Sequence, residues 1–449
     1  MDKEQTKKIL FSLLVGVLIF FVSLSLFNTT QASLLGLIGV LVTLWTNEGL
    51  PLAVVSLMPI ILFPAFSILT TKDTTLNYAH PIIFLFFGGF LLAIAVEKSH
   101  LHRWISEKIF DIFPNTPRGM IFSLAITSAL LSSVLSNTTT ALLLMAIALY
   151  ISDDKKLKMR FALAIAYGAS VGGILTPIGT PPNLILLGVM SDKGMGTIPF
   201  FQWVWMVAPL VILMLIAVSF LLSLGMPNVP IHREKEKKTL DTMQKKVLYL
   251  LIGLTLLLLV NAPIKPFWTG LGLSETGILL GAGFLLFMPY MNVLDWMQDK
   301  EQIPYRIMFL FGAGFSIAKA FSATGLADEV ASYLLHMTSF SPLMLLFSVA
   351  ILITFTTEIT SNTALISIML PIIYSVAQKT GINTTLFMMV ATICASYAFM
   401  LPIATPPNAI AMSSGAVDVK SMMKYGIILN LAGIFFIAMI AEFFWKSIF

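Results

Sequence analysis

The chain has 449 residues, of which 57% are hydrophobic and only 11% charged, with a formal net charge of +5. A mean hydropathy of +0.92 excludes an ordinary water-soluble domain and makes the bilayer the natural solvent. The lone cysteine, Cys394, excludes a disulfide framework and a thiolate metal centre, and the basic excess sits in loop lysines, so no nucleic-acid partner is expected.

Apolar stretches of about 20 residues, enough to cross a ~30 Å hydrocarbon core, recur along the whole chain. None shows the alternation of a membrane β-barrel. The expected fold is an all-α polytopic membrane protein with about 11 transmembrane helices at that length per crossing. Residues 9–27 follow Lys3, Lys7 and Lys8 and lack an A-x-A-like cleavage site, so they read as the first membrane helix rather than a signal peptide.

Charge then sorts the connections. Residues 1–8, 98–118, 151–160, 227–246, 292–306 and 412–424 hold 21 of the 27 Lys and Arg. Between them lie connections carrying only Lys72, Lys193, Lys265 and Lys379. The positive-inside rule puts the rich set, and the N-terminus, in the cytoplasm of a multi-pass protein of the cell (inner or plasma) membrane.

Two segments cannot be simple spans. Residues 119–150 leave one basic segment and return to another, yet are too short for two crossings of about 20 residues each. Residues 342–376 do the same from the lysine-poor side. Both are expected to be re-entrant helical hairpins, tolerated at membrane depth only where they are buried or line a wet cavity.

Each hairpin carries the same tripeptide. Ser136-Asn137-Thr138 returns as Ser361-Asn362-Thr363, 225 residues later. "TPIGTPPN" (176–183) and "LPIATPPN" (401–408) share that offset, as do "FLFFGGF" (84–90) and "FLFGAGF" (309–315). A register constant over three segments marks a duplication. The charge topology gives the copies opposite orientations, so this is an inverted-topology repeat, the architecture of secondary transporters with midplane binding sites. Residues 1–80 are N-terminal transmembrane helices and 81–226 the first repeat. Residues 227–246 form a cytoplasmic linker and 247–449 the second repeat.

Consecutive prolines lack N–H donors and clash with the preceding turn. The two T-P-P-N segments are therefore expected to be unwound midpoints of discontinuous helices, whose carbonyls suit a monovalent cation and whose helix N-termini suit an anion. Hydroxyls and amide N–H groups at the hairpin tips can bind carboxylate oxygens. No Arg or Lys lies close to either tripeptide in sequence, and co-bound sodium is the natural replacement, which would couple ion to substrate.

Glu358 reads as support for the second hairpin, with approach to a cation or carriage of a proton as the alternatives, Lys319 as a snorkelling residue, and the histidines at 80, 100, 102, 232 and 336 as loop surface. An intramembrane protease would need an H-E-x-x-H helix or paired aspartates, neither of which is present, so no enzyme activity is expected.

Two S-N-T hairpins, each followed 44 residues later by T-P-P, resemble the divalent anion/sodium symporter family over roughly 80–425, and "LWTNEGLP" (44–51) fits as well. The resemblance implies a homodimer with a scaffold domain and a mobile transport domain that works by an elevator motion. It implies several co-transported sodium ions, no organic cofactor, and di- or tricarboxylate or sulfate substrates. Carried over residue by residue, one sodium site would use Ser132, Ser136, Asn137 and the backbone around Gly179. The other would use Thr357, Thr360, Asn362 and the backbone at Ala404. Substrate would meet Ser136, Asn137, Thr138, Ser361, Asn362 and Thr363, with Thr180, Pro181, Thr405 and Pro406 from the broken helices. Two intact tripeptides go with C4-dicarboxylates such as succinate, malate and fumarate in that family. Some members with the same tripeptides are sodium-independent di- or tricarboxylate exchangers, which is the alternative reading.

Overall fold

The computed structural model describes residues 3–227, 229–231, 239–263, 267–337 and 341–449. Residues 232–238 of the expected linker, His232, Lys265 and the side chain of His336 lie outside the described residues. All regular structure among the described residues is helical. Among the described residues, eight helices are long and apolar enough to cross a membrane, and further apolar helices such as Asn137–Ile151, Pro342–Thr356 and Thr384–Ala395 are shorter.

Capping chemistry explains why the two halves fold alike. The first hairpin has arms Pro117–Ser132 and Asn137–Ile151, and the second Pro342–Thr356 and Asn362–Thr380. Thr116 and Ser341 accept from backbone N–H groups one turn ahead at equivalent positions, and proline follows each directly. Ser136 and Ser361 cap the return arms in the same way. Each satisfies one otherwise orphaned donor and places proline where its missing N–H costs nothing. The turns at 133–136 and 357–361 are thus set by local sequence.

The broken helices depart from expectation in one respect. The first runs Lys155–Gly173 and resumes as Pro181–Asp192; the second runs Thr384–Ala395 and resumes as Pro406–Ser413. The unwound stretches therefore lie upstream, at 174–180 and 396–405. Pro181 and Pro406 open the resumed helices instead of sitting in the gap, because the first turn is the one helical place that tolerates proline.

Two packing groups emerge. Helices from the N-terminal 110 residues pack with those between 242 and 337. The hairpins and broken helices pack with Phe200–Ser223 and Val419–Phe443. The groups meet where Asn362–Thr380 lies against Tyr305–Ala323 and Leu326–Met337, where Pro181–Asp192 touches Tyr305–Ala323, and where Leu101–Phe110 lies against Pro117–Ser132. Inside the second group, backbones approach closely. A methyl group placed at Gly168 or Gly172 would lie 2.5 or 2.1 Å from the carbonyl oxygens of Ala125 and Ala129. This G-x-x-x-G spacing presses the first broken helix onto the first hairpin, as small residues do in membrane interfaces.

Connections sort by charge in space as well. Lys98 pairs with Asp299 at 2.6 Å, and Ile231 N–H donates to the Asn115 carbonyl at 2.7 Å, joining three lysine-rich connections. Lysine-poor ones join likewise, through His80 with Asp192 at 3.3 Å and Lys193 with Ser322 at 2.8 Å. Lys319 is ion-paired to Asp73 at 3.2 Å rather than reaching alone for solvent. His80 and His102 are buried, not on the loop surface, because His80 caps the Ile82 N–H and stacks on Phe315 while His102 Nδ1 lies 3.3 Å from the Val96 carbonyl oxygen.

Candidate functional site

Each hairpin tip is built around one asparagine. Ser132 Oγ donates to Asn137 Oδ1 at 2.5 Å, and 225 residues later Thr357 Oγ1 donates to Asn362 Oδ1 at 2.5 Å. The hydroxyl stands in the last turn or C-cap of the entering arm and the amide in the first turn of the return arm, so the bond closes the hairpin across its turn. Ser136 Oγ accepts from Thr139 N–H at 3.0 Å and donates to Thr139 Oγ1 at 2.9 Å. Ser361 Oγ accepts from Ala364 N–H at 3.5 Å. Thr360 donates back to the Thr356 carbonyl at 2.8 Å, so its hydroxyl is engaged within its own turn.

The tips are tied to the breaks. Thr176 Oγ1 donates to the Ser133 carbonyl at 2.5 Å. At the matching place in the other half, Glu358 takes the place of Ser133. Its carboxylate accepts from the N–H groups of Phe399 (2.8 Å), Met400 (2.9 Å) and Leu401 (3.0 Å), and from Asn430 Nδ2 at 2.6 Å. A buried carboxylate needs such donors to offset its desolvation. Gly179 N–H bonds to the Thr176 carbonyl at 3.3 Å and Ala404 N–H to Leu401 at 3.2 Å, so the two breaks share one turn geometry. Thr180 and Thr405 are the buried residues that precede the resumed helices.

The halves interleave. The return arm Asn137–Ile151 packs against Pro406–Ser413 of the other half, and Asn362–Thr380 packs against Pro181–Asp192. Each hairpin is therefore tied at its tip to the break of its own half and along its return arm to the resumed helix of the other half. The return arms and the resumed helices each begin with a helix N-terminus. Helix N-termini present unpaired N–H groups and partial positive charge, the usual means of holding an anion without a cationic side chain.

Several residues that shape the region escaped the sequence reading. Asn430 and Thr176 carried no motif of their own. Arg160, almost fully buried, donates to the Leu221 and Leu222 carbonyls at 3.2 and 2.8 Å and lies 4.5 Å from the Tyr425 ring. Trp203 Nε1 donates to the Ile174 carbonyl in the first break at 2.9 Å. Asn183 and Asn408 stood in plain view as the last letter of T-P-P-N.

Comparison with known proteins decides the family. The family model described as CitMHS, citrate transporter, matches residues 40–383. The chain belongs to this transporter family. The resemblance to divalent anion/sodium symporters therefore holds. The sodium-dependent dicarboxylate transporter SdcS of Staphylococcus saprophyticus is 30% identical over 472 residues, covering 97% of this chain and 91% of that protein. SdcS of Staphylococcus aureus strain NCTC 8325 matches with the same identity and coverage. Among solved structures, the Alcanivorax borkumensis YdaH transporter superposes with a TM-score of 0.59 at 13% identity, over 83% of this chain and 87% of that one. MtrF of Neisseria gonorrhoeae gives 0.58 at 12% identity, over 82% of each chain. These two share the fold.

Proposed function

We propose that this protein is a secondary active transporter that couples sodium to the uptake of C4-dicarboxylates such as succinate, malate and fumarate. The single observation that carries the proposal is the paired, pseudo-symmetric tip: Ser132–Asn137 and Thr357–Asn362, each at 2.5 Å, beside two broken helices whose resumed halves cross to the opposite hairpin. A dicarboxylate has an anionic group at each end, and each end meets one S-N-T tip. The relatives named as sodium-dependent dicarboxylate transporters, matched over nearly the whole chain, support the same substrate class. The family description names citrate, so a tricarboxylate is the competitor to test against.

In this reading Ser136, Asn137, Thr138, Ser361, Asn362 and Thr363 donate to the carboxylates, together with the N-termini at Thr180-Pro181 and Thr405-Pro406. Sodium, as co-transported cargo, is held by Ser132, Ser136, Asn137 and the backbone at Gly179, and by Thr357, Thr360, Asn362 and the backbone at Ala404. With no lysine or arginine at the tips, the ions supply the positive charge, and ion and substrate binding strengthen each other. The two packing groups support a scaffold and a transport domain that slide as an elevator within a homodimer. The clustering of basic connections at one end supports a cytoplasmic N-terminus.

The test is radiolabelled succinate uptake into proteoliposomes with and without an inward sodium gradient. Sodium-driven uptake into empty vesicles, competed by malate and fumarate more strongly than by citrate, is expected. Uptake that ignores sodium and requires internal dicarboxylate would establish the exchanger instead.

A further inference from the structure

Asn183 and Asn408 form the one pair of polar side chains in the two broken helices that repeats residue for residue yet has no part in the proposed ligand sets. Both have no solvent exposure at all. Asn183 Nδ2 donates to the carbonyls of Gly173 (3.2 Å) and Thr176 (2.9 Å), and Asn408 Nδ2 to those of Ala398 (3.0 Å) and Leu401 (3.0 Å). Every acceptor obeys the 225-residue offset. In the first half the clasp joins the end of the leading half-helix and the loop to the first turn of the resumed one. In the second it joins two loop carbonyls to that turn. It thus holds the gap at a fixed shape.

The other end of each amide is left open. Asn183 Oδ1 and Asn408 Oδ1 are buried and have no hydrogen-bond partner among the described residues. A buried acceptor without a donor costs about 1–3 kcal/mol and is rare in native proteins. Here it occurs twice at one register. In the first copy, the Gly173 carbonyl held by the amide nitrogen belongs to a residue beside the hairpin tip. A methyl group at Gly173 would lie 2.8 Å from Asn137 Oδ1, and one at Gly179 would lie 2.4 Å from the Gly173 carbonyl oxygen. Asn183 therefore clasps the carbonyl that separates the hairpin asparagine from Gly179, the two poles of the proposed first cation site.

We infer that Asn183 and Asn408 are positioning residues for the two cation sites, and that they set the affinity for sodium rather than the rate of the transport cycle. The inference rests on the sodium-coupled reading above. The amide nitrogen fixes the break so that its remaining carbonyls face the ion. The amide oxygen, left without a donor, adds negative potential at the gap, and a cation compensates it when bound. Groups that orient a metal's direct ligands in this way matter to affinity nearly as much as the ligands do. The duplication gives each ion its own clasp.

The experiment measures sodium dependence of succinate uptake, and of melting temperature without succinate, for Asn183→Ala, Asn408→Ala, Asn183→Ser and Asn408→Ser. The expected result is a half-saturating sodium concentration raised about tenfold or more, with the maximal rate at saturating sodium retained within about threefold. The sodium-induced rise in melting temperature should move to correspondingly higher sodium concentration, a readout that needs no transport. A lowered maximal rate with unchanged half-saturation in both assays overturns the inference and leaves the pair as scaffolding. The serine variants, which keep a polar group in the space, decide the matter should the alanine variants fail to accumulate. Wild-type protein with no sodium dependence at all would instead sink the sodium-coupled reading, so the two failures are distinguishable.

Discussion

Glu358 Oε1 and Asn430 Nδ2 meet at 2.6 Å in the interior, joining the turn of the second hairpin to the final long helix, Val419–Phe443. The same carboxylate gathers three consecutive backbone N–H groups from the second break. Glu358→Ala would strand four donors at once, two of them, Phe399 N–H and Asn430 Nδ2, fully buried. Hydrogen bonds to a charged group contribute roughly 1.5–3 kcal/mol each, and their loss without replacement leaves desolvation uncompensated. The purified variant should melt well below wild type, while Asn430→Leu, which removes one donor and keeps the backbone three, should lose less. Equal melting temperatures for Glu358→Ala and wild type would contradict this account.

Asn137→Ala and Asn362→Ala remove the acceptors at the two hairpin tips. Each should cut succinate uptake by about tenfold or more, the scale expected when a group that binds or orients an ion is lost. Surface expression and melting temperature should change little, since the Ser136 and Ser361 caps remain. In wild type, lowering sodium should raise the apparent KM for succinate, because linkage requires each ligand to strengthen the other. A KM indifferent to sodium would contradict coupling through co-bound ions.

Gly172 lies where no side chain fits, since a methyl there would approach the Ala129 carbonyl oxygen to 2.1 Å. Gly172→Leu should force the first hairpin off its broken helix and cost about 1–3 kcal/mol or more in stability. Gly253, in the helix Thr242–Asn261, has open space around it. Gly253→Ala should be neutral or gain up to about 1 kcal/mol from helix propensity. Thermal melts of the two variants side by side test the contrast.

Arg160 closes the end of the helix Phe200–Ser223 by donating to carbonyls that the helix itself cannot satisfy. Arg160→Met fills the volume yet leaves those acceptors bare, at a cost of about 1–3 kcal/mol. Arg160→Lys should recover only part of it, because one ammonium cannot reproduce the fork of a guanidinium. A fluorescence-detected melt in detergent would separate the three proteins in the order wild type, lysine, methionine.

Much of the candidate site could be read without coordinates because its signals are local. Ser136 and Ser361 are capping residues whose effect spans three positions, and the 225-residue register needed no geometry. The break was mislocated by a few residues for an equally local reason: proline ends one helix and begins another, and only the flanking chain decides which role it plays. Asn183 and Asn408 were overlooked because an asparagine in a membrane segment carries no signal of what it bonds.

By itself the sequence determined that the chain lives in a bilayer, that its motifs repeat at a constant 225-residue offset, and that two polar tips and two proline interruptions recur in step. Hydropathy, caps and prolines act over a few residues, and they repeat when the residues repeat. The tertiary structure alone decided that the return arm of each hairpin seats against the resumed helix of the other half. It also decided that Glu358 reaches a break some 41 to 43 residues away and Asn430 at a separation of 72. Such pairings arise from packing two folded halves at once, where burial leaves each polar group to find whichever partner the neighbouring helix presents.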